Sequence, residues 1–247
     1  MKLITVVCCY NDWQQYQEFR ETLKKQNITC DLIGIDNRKR QYKSCSSALN
    51  TVSGAVKTKY IVYSHQDIRL PEEDMLARFL GYLEQTGPYD ILGVAGAVSG
   101  KKRGKGGDVC VLSQVRHREE LVTAGELEYH GMTGCETVDE CFFGGWTECF
   151  RERPFDEKLC DDWHLYAVER CLAARAGGGH VYVCDIPMIH LSGGKINSAY
   201  NKGFRRLARH YRDAGWIRTV CGASRTDWLH RNLFYMKRKL LICLRRI

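Results

Sequence analysis

Uncharged apolar blocks alternate with amphipathic ones along the first part of this chain. Residues 3–9 (LITVVCC) are largely β-branched and uncharged, and predict a buried strand. Asn11 and Asp12 follow as helix caps, and Trp13, Tyr16, Phe19 and Leu23 recur behind them at roughly helical spacing. Residues 30–35 (CDLIGI) predict a second strand ending at Asp36-Asn37. After a basic loop over 38–43, Ser44 opens a helix that carries Ala48, Leu49, Val52 and Val56. Residues 60–63 (YIVY) predict a third strand, which runs out into His65-Gln66-Asp67. Pro71 with Glu72, Glu73 and Asp74 marks another helix start, with Met75, Phe79 and Leu83 as the inner face. Residues 91–98 (ILGVAGAV) predict a fourth strand.

This alternation predicts an α/β fold, a mixed and mainly parallel sheet covered by helices on both faces. Ligands of such sheets bind beyond the carboxyl ends of the strands. Three of the predicted ends are polar: Asn11-Asp12, Asp36-Asn37 and His65-Gln66-Asp67. Each alone suits a cap or a turn. Together on one rim they predict a site.

Residues 99–107 (SGKKRGKGG) predict a mobile, Gly- and Lys-rich loop. It lacks the G-x-x-x-x-G-K-[ST] pattern, and no G-x-G-x-x-G follows the first strand, which argues against P-loop enzymes and dinucleotide oxidoreductases. Residues 108–115 and 121–123 predict an antiparallel excursion, and residues 137–143 (TVDECFF) a strand before Gly144-Gly145-Trp146. Residues 154–183 read as a loop, a helix, a glycine stop at 177–179 and a strand. Residues 187–190 then lead into Ser192-Gly193-Gly194.

Composition adds two points. The chain has 13 cysteines, none in a C-x-x-C or zinc-finger spacing, and several sit in apolar segments as small hydrophobes. With no secretory leader in the opening residues, a reduced, cytosolic compartment is expected. The formal charge of +8 is concentrated in residues 225–247, where Asp227 is the only acid. A nearly neutral body with a basic tail does not have the footprint of a nucleic-acid binder. The expected organisation is a catalytic domain over 1–224 and a basic amphipathic tail over 225–247.

Four stretches resemble one family. The first strand with its Tyr10-Asn11 end, Asn50 in the second helix, the segment YIVYSHQDIRL, and the long run from Phe155 to Gly194 together resemble the GT-A-fold glycosyltransferases of the family-2-like group. The likeness spans roughly residues 3–200, and H-Q-D stands where that family often carries D-x-D. The resemblance implies transfer of a sugar from a nucleotide-diphosphate sugar donor to a hydroxyl of a glycan or lipid-linked glycan. It further implies inversion, divalent-metal assistance and a place in cell-envelope polysaccharide biosynthesis. The donor's departing diphosphate accumulates charge that a hard cation, Mn²⁺ or Mg²⁺, neutralises. Asp67 and His190 are the implied metal ligands, while Asp67 alone also suits a helix-start acid. Tyr10, Asn11, Asp36, Asn50, His65 and Gln66 are implied around the nucleotide, and Asp139, Glu140, Trp146 and Trp163 around the sugar and acceptor.

An inverting transfer needs a base for the acceptor proton. Asp161, Asp162 and His164 are the candidates, and Ala167 falls where a common family Asp would stand. The H-Q-D motif and Ala167 keep a second expectation open, a non-catalytic nucleotide-sugar-binding protein on the same fold. The tail, with Trp228, Leu229, Leu233, Phe234, Met236, Leu240, Leu241 and Leu244 among its bases, predicts a helix for an anionic membrane surface. That places the protein at the inner face of a membrane, or, on a third reading, makes it a basic membrane-associated scaffold.

Overall fold

The computed structural model describes the chain except residues 1, 105–107, 118–121, 124, 127–128, 193–195 and 245–247. Parts of the predicted Gly/Lys loop, of the antiparallel excursion, of the Ser-Gly-Gly segment and of the tail therefore lie outside the described residues.

In chain order the first half holds β1 (Ile4–Tyr10), α1 (Trp13–Lys24), β2 (Asp31–Asp36), α2 (Cys45–Asn50), β3 (Tyr60–Ser64), β4 (Ile68–Arg69), α3 (Met75–Leu83), β5 (Ile91–Gly93), β6 (Ala95–Val98), β7 (Cys110–Ser113), β8 (Arg116–His117) and β9 (Val122–Thr123). The second half holds β10 (Met132–Gly134), β11 (Thr137–Val138), β12 (Phe142–Trp146), α4 (Thr147–Glu152), α5 (Tyr166–Ala176), β13 (Val181–Cys184), β14 (Ile189–His190), α6 (Ser198–His210), β15 (Trp216–Thr219), β16 (Gly222–Arg225) and α7 (Trp228–Cys243).

The main sheet has seven strands in the order β10-β13-β5-β12-β3-β1-β2. β1 runs parallel to both neighbours and β13 parallel to β5, while β12 lies antiparallel between β3 and β5. Side-chain alternation divides the core. Val7, Ile61 and Tyr63 face α2, α5 and α6, and Ile4, Val6, Tyr60 and Val62 face α1 and α3. β3 is buried along its whole length, as a strand covered on both faces must be. Gly144, inside β12, allows the close pairing of β12 with β3, since a Cβ there would meet the Ile61 carbonyl oxygen at 2.1 Å.

Local details differ from the sequence reading. The run 91–98 is two strands, because Val94 breaks away and β6 joins β11 and β7 in a separate sheet. The run 137–143 is likewise split, and the Gly-Gly-Trp segment continues β12 instead of ending it. α2 ends at Asn50, leaving Val52 in the following turn and Val56 just beyond it. α5 starts at Tyr166, later than the acids of 161–162, and enters through Leu165 in the left-handed region with φ 70°. Most cysteines, Cys8, Cys45 and Cys171 among them, are buried thiols.

The tail is a helix docked on the body. Phe234 packs on Phe204 of α6 with ring centroids 4.9 Å apart, Arg238 is buried against Phe234 and Tyr200, and Asn201 donates to the Tyr235 carbonyl. None of the described helices is long and apolar enough to cross a membrane.

Candidate active site

Because β1, β2 and β3 are parallel, their carboxyl ends share one edge: Tyr10 is level with Asp36, and Cys8 with Ser64. A pocket of about 220 Å³ opens there, lined by Cys9, Tyr10, Asn11, Asn37, His65, Gln66, Asp67 and Trp163. Gln66 holds its rim together. Its side-chain oxygen accepts from the Asn11 and Asp12 amides at 2.9 and 3.0 Å, and its nitrogen donates to Asn11 Oδ1 at 2.9 Å. Asp12 caps α1 by accepting from Gln14 and Gln15. Asn37 donates its amide to the Tyr10 carbonyl and accepts from Tyr42 N.

Asp67 and His190 are joined by a small ladder. β14 pairs antiparallel with β4, so that His190 is level with Ile68, and Leu191 N donates to the Asp67 carbonyl. His190 Nε2 then lies 3.4 Å from Asp67 Oδ1. His65 completes the group, its Nδ1 3.4 Å from His190 Nε2 and 4.0 Å from Asp67 Oδ1. One ligand atom from each of the three residues lies within 4.8 Å of the others. Two imidazole nitrogens and a carboxylate oxygen suit a borderline-hard divalent ion that keeps positions open for phosphate oxygens. The outer nitrogen of His65, Nε2, faces the Tyr166 hydroxyl at 3.1 Å. With the proton on Nε2, the Nδ1 lone pair points at Asp67 and His190.

The three groups are electrostatically linked, and a cation bound among them would displace the proton that His190 shares with Asp67. Burial raises the Asp67 carboxyl, but its hydrogen bond with His190 and the positive charge of His190 and His65 bring it well below the usual carboxylate range. Burial lowers His190, and the hydrogen bond and charge of Asp67 more than reverse that. His65 is lowered, first by burial and then by repulsion from His190.

A second cavity of about 280 Å³ has His190 in its wall, with His117, Asp139, Ser113 and the apolar Val111, Val115 and Val220. His117 is level with His190 in the neighbouring strand, and Cys141 N donates to Asp139 Oδ1. The predicted base region lies close by. His164 is lowered by burial, against the opposing charges of Asp162 and Asp139, and its Nε2 sits 3.1 Å from Asn197 Nδ2. Asp162 accepts from the Trp163 amide, and its carbonyl accepts from Cys45 N.

Other expected residues stand apart from the two cavities. Asp161 forms a two-point ion pair with Arg206 of α6. Asn50 clamps the loop before α5, donating to the Phe155 carbonyl and accepting from Phe155 N, each at 3.0 Å. Trp146 pairs with Tyr60, at the opposite end of β3 from His65, and donates to the Thr86 carbonyl. Four residues of strand put it ~13 Å from the rim. Glu140 accepts from the Leu165 amide under the entry to α5, and burial, then the charge of Asp139, raise its carboxyl to about 8. Asp36 lies at the rim but is held by Arg38 at 2.6 Å, which lowers it to about 2. Arg38 in turn sits over the Trp13 ring. The sequence reading placed Asn37 on the rim without giving it a role, and it missed Cys9 as a pocket wall. It also missed Tyr166 and His117, which carry no local signal because only tertiary packing brings them to the histidines.

A family model described as a glycosyltransferase-like family matches residues 5–223. The chain belongs to that family. Its fold is GT-A, as two solved structures also indicate. The Staphylococcus aureus protein TarS, residues 1–349 in complex with UDP-GlcNAc, has a TM-score of 0.55 at 11% identity, over 84% of this chain and 66% of that one. GalNAc-T7 with UDP, GalNAc and Mn²⁺ has a TM-score of 0.59 at 11% identity, over 85% of this chain and 50% of that one. This glycosyltransferase-family chain thus spans less than two thirds of either structural relative. No curated protein sequence matches it significantly.

Proposed function

We propose that this chain transfers a glycosyl group, with inversion, from a nucleoside diphosphate sugar to a hydroxyl of a glycan or lipid-linked glycan. The observation that carries the reading is the His65-Asp67-His190 group, with His65 and Asp67 on the wall of a rim pocket at the carboxyl ends of β1, β2 and β3 and His190 on the wall of the second cavity. The pocket suits the nucleotide, with Tyr10, Asn11 and Asn37 around it and Gln66 fixing Asn11. Asp36 joins them by exchanging Arg38 for a base or ribose donor. His65, Asp67 and His190 would hold Mn²⁺ or Mg²⁺, which when bound offsets the charge of the leaving diphosphate. A uridine nucleotide is the first to test, because both structural relatives hold uridine diphosphate compounds.

The second cavity suits the sugar and the acceptor, with Asp139 orienting hydroxyl groups and His117 beside it. Trp163, exposed on the pocket wall, offers a flat apolar face to a ring. Proton removal falls to Asp162 or His164. Asp161 is the weaker candidate, because Arg206 already binds its carboxylate. The division into a catalytic body over 1–224 and a tail over 225–247 belongs to the same proposal. So do an anionic membrane surface against the tail, location at the inner face of that membrane, and a role in building a cell-envelope polysaccharide.

The test is a panel of nucleoside diphosphate sugars with and without Mn²⁺ or Mg²⁺, read by thermal stability and by release of nucleoside diphosphate. Cation-dependent donor binding with release is expected, since a ligand selective for the folded state raises its stability. Neither binding nor release across the panel overturns the reading. Binding without release, with a broad set of acceptors present, favours the non-transferring alternative.

A further inference from the structure

The groove between α6 and α7, lined by Lys202, Arg205, Arg209 and Arg231 with Trp228 and Tyr235, has a volume of about 610 Å³ and no acid among the described residues that line it, although Arg206 on the same wall is already paired with Asp161. Lys202, Arg205 and Arg209 are exposed and recur at helical spacing along one face of α6. Beside the groove, Leu229, Leu233, Met236, Leu240 and Leu244 run up the outer side of α7 at intervals of three and four, each more than half exposed. Lys237 and Lys239 flank that ridge and are exposed. The opposite side of α7 is already used, through Phe234, Arg238 and the Tyr235 carbonyl.

An apolar ridge with cations on both sides and a basic groove alongside fits a surface that is apolar inside and anionic at its boundary. A protein partner would need a matching apolar trough and an acidic lip. A bilayer of anionic phospholipid supplies both chemistries without further design, and long basic side chains reach its phosphates while the leucines enter the acyl boundary. We propose that α6 and α7 together form the membrane-docking face, with the groove receiving the phosphate headgroups of anionic lipid. This deepens the membrane-side reading of the tail given above and rests on it, but is independent of the transfer chemistry. It adds that α6, which belongs to the body of the molecule, supplies half of the lipid contact. The bilayer therefore holds the body itself, not only a tethered tail.

The test is co-flotation of the full chain with vesicles of phosphatidylcholine alone or with about a third phosphatidylglycerol, at low and high salt. Two double variants are compared, Leu233→Asp with Leu240→Asp on the ridge, and Lys202→Glu with Arg209→Glu in the groove. All four positions are exposed, and thermal unfolding with donor binding checks that each variant is folded and competent. Binding to anionic vesicles at least tenfold stronger than to neutral ones, weakened by salt, and lost or reduced at least tenfold in both variants is expected. No anionic-vesicle binding by the wild-type chain overturns both this proposal and the membrane reading of the tail. Loss in the ridge variant alone, with the groove variant unchanged, leaves the tail reading standing and overturns the groove. Binding of soluble inorganic polyphosphate is measured in parallel, and its loss in the groove variant with vesicle binding retained also overturns the proposal, in favour of a soluble polyanion.

Discussion

His65 Nδ1 and His190 Nε2 face one another across 3.4 Å, although the two residues are 125 positions apart in the chain. The β4–β14 ladder sets that approach, and Asp67 sits 3.4 Å from His190 on the third side. A nitrogen-rich group of this kind carries less negative charge than a pair of carboxylates. It relies on geometry, and so on the residues that orient the two rings.

Replacing Asp67 or His190 with Ala removes one of the oxygen or nitrogen atoms proposed to hold a cation. Cation-dependent binding of a nucleoside diphosphate is expected to drop at least tenfold in either variant, by titration calorimetry with Mn²⁺. Unchanged binding in both variants would falsify the metal assignment. His65→Ala should behave alike, which separates a three-residue group from the Asp67-His190 pair that the sequence suggested.

Tyr166→Phe keeps the aromatic packing and deletes only the hydroxyl 3.1 Å from His65 Nε2. Loss of such an orienting partner costs roughly 10–100-fold in metal affinity. The expected outcome is weaker Mn²⁺ binding with thermal stability nearly unchanged. Equal affinity in wild type and variant means that His65 is fixed by other contacts.

Asp162→Asn and His164→Gln separate the two remaining bases. Loss of a general base lowers turnover by roughly 10²–10⁴-fold while donor binding persists. One of the two variants is expected to show that drop. Asp161→Asn is expected to keep turnover within a few-fold, since its carboxylate serves Arg206.

Glu140 gives a pH dependence of stability. Its carboxyl is raised from 4.5 to about 8 by burial and by Asp139. The folded state therefore holds a proton that the unfolded state has released between those values. The benefit of burying the neutral acid is complete below about 4.5 and is lost as pH rises through about 8. Glu140→Gln keeps an acceptor for the Leu165 amide without the titration. Denaturant unfolding should show the variant gaining on wild type by a few kcal/mol (~3) from pH 5 to pH 8. Parallel curves across that range count against it.

Trp146 sits at the far end of β3, buried in part between Tyr60 and the Lys59 ammonium. Trp146→Ala is expected to cost ~3 kcal/mol of stability. Donor KM should stay unchanged at a temperature where the variant is folded. A raised donor or acceptor KM in the folded variant returns Trp146 to the sugar site.

The strand-and-helix alternation of the first hundred or so positions is strong in the sequence, since β1, β2, β3, β5 and α1 to α3 each carry an apolar run or an amphipathic stripe, whereas the two-residue β4 carries neither and was not read. Asn11, His65, Gln66 and Asp67 were legible as rim residues for the same reason, each standing at the end of such a run. The split at Val94 was not legible, because the apolar pattern continues across it while the backbone changes partner sheets. At 139–141 the acids Asp139 and Glu140 do interrupt the run, and the sequence reading carried one strand across them. Asn50, Glu140 and Trp146, expected around the nucleotide, sugar and acceptor, do not line either cavity. Their polar groups satisfy backbone amides or carbonyls of distant loops, and no local spacing encodes such a partner.

By itself the sequence determined the layered α/β architecture, the polar rim of β1, β2 and β3, and the basic, amphipathic character of the tail. These follow from side-chain periodicity and from residue types within short windows. Only the tertiary structure decided that His65 joins Asp67 and His190, that Asp161 is spent on Arg206, and that α6 lends its cations to α7. Each of those depends on contacts between segments far apart in the chain, where the ladder register and the packing of the sheet faces, not local pattern, set which atoms meet.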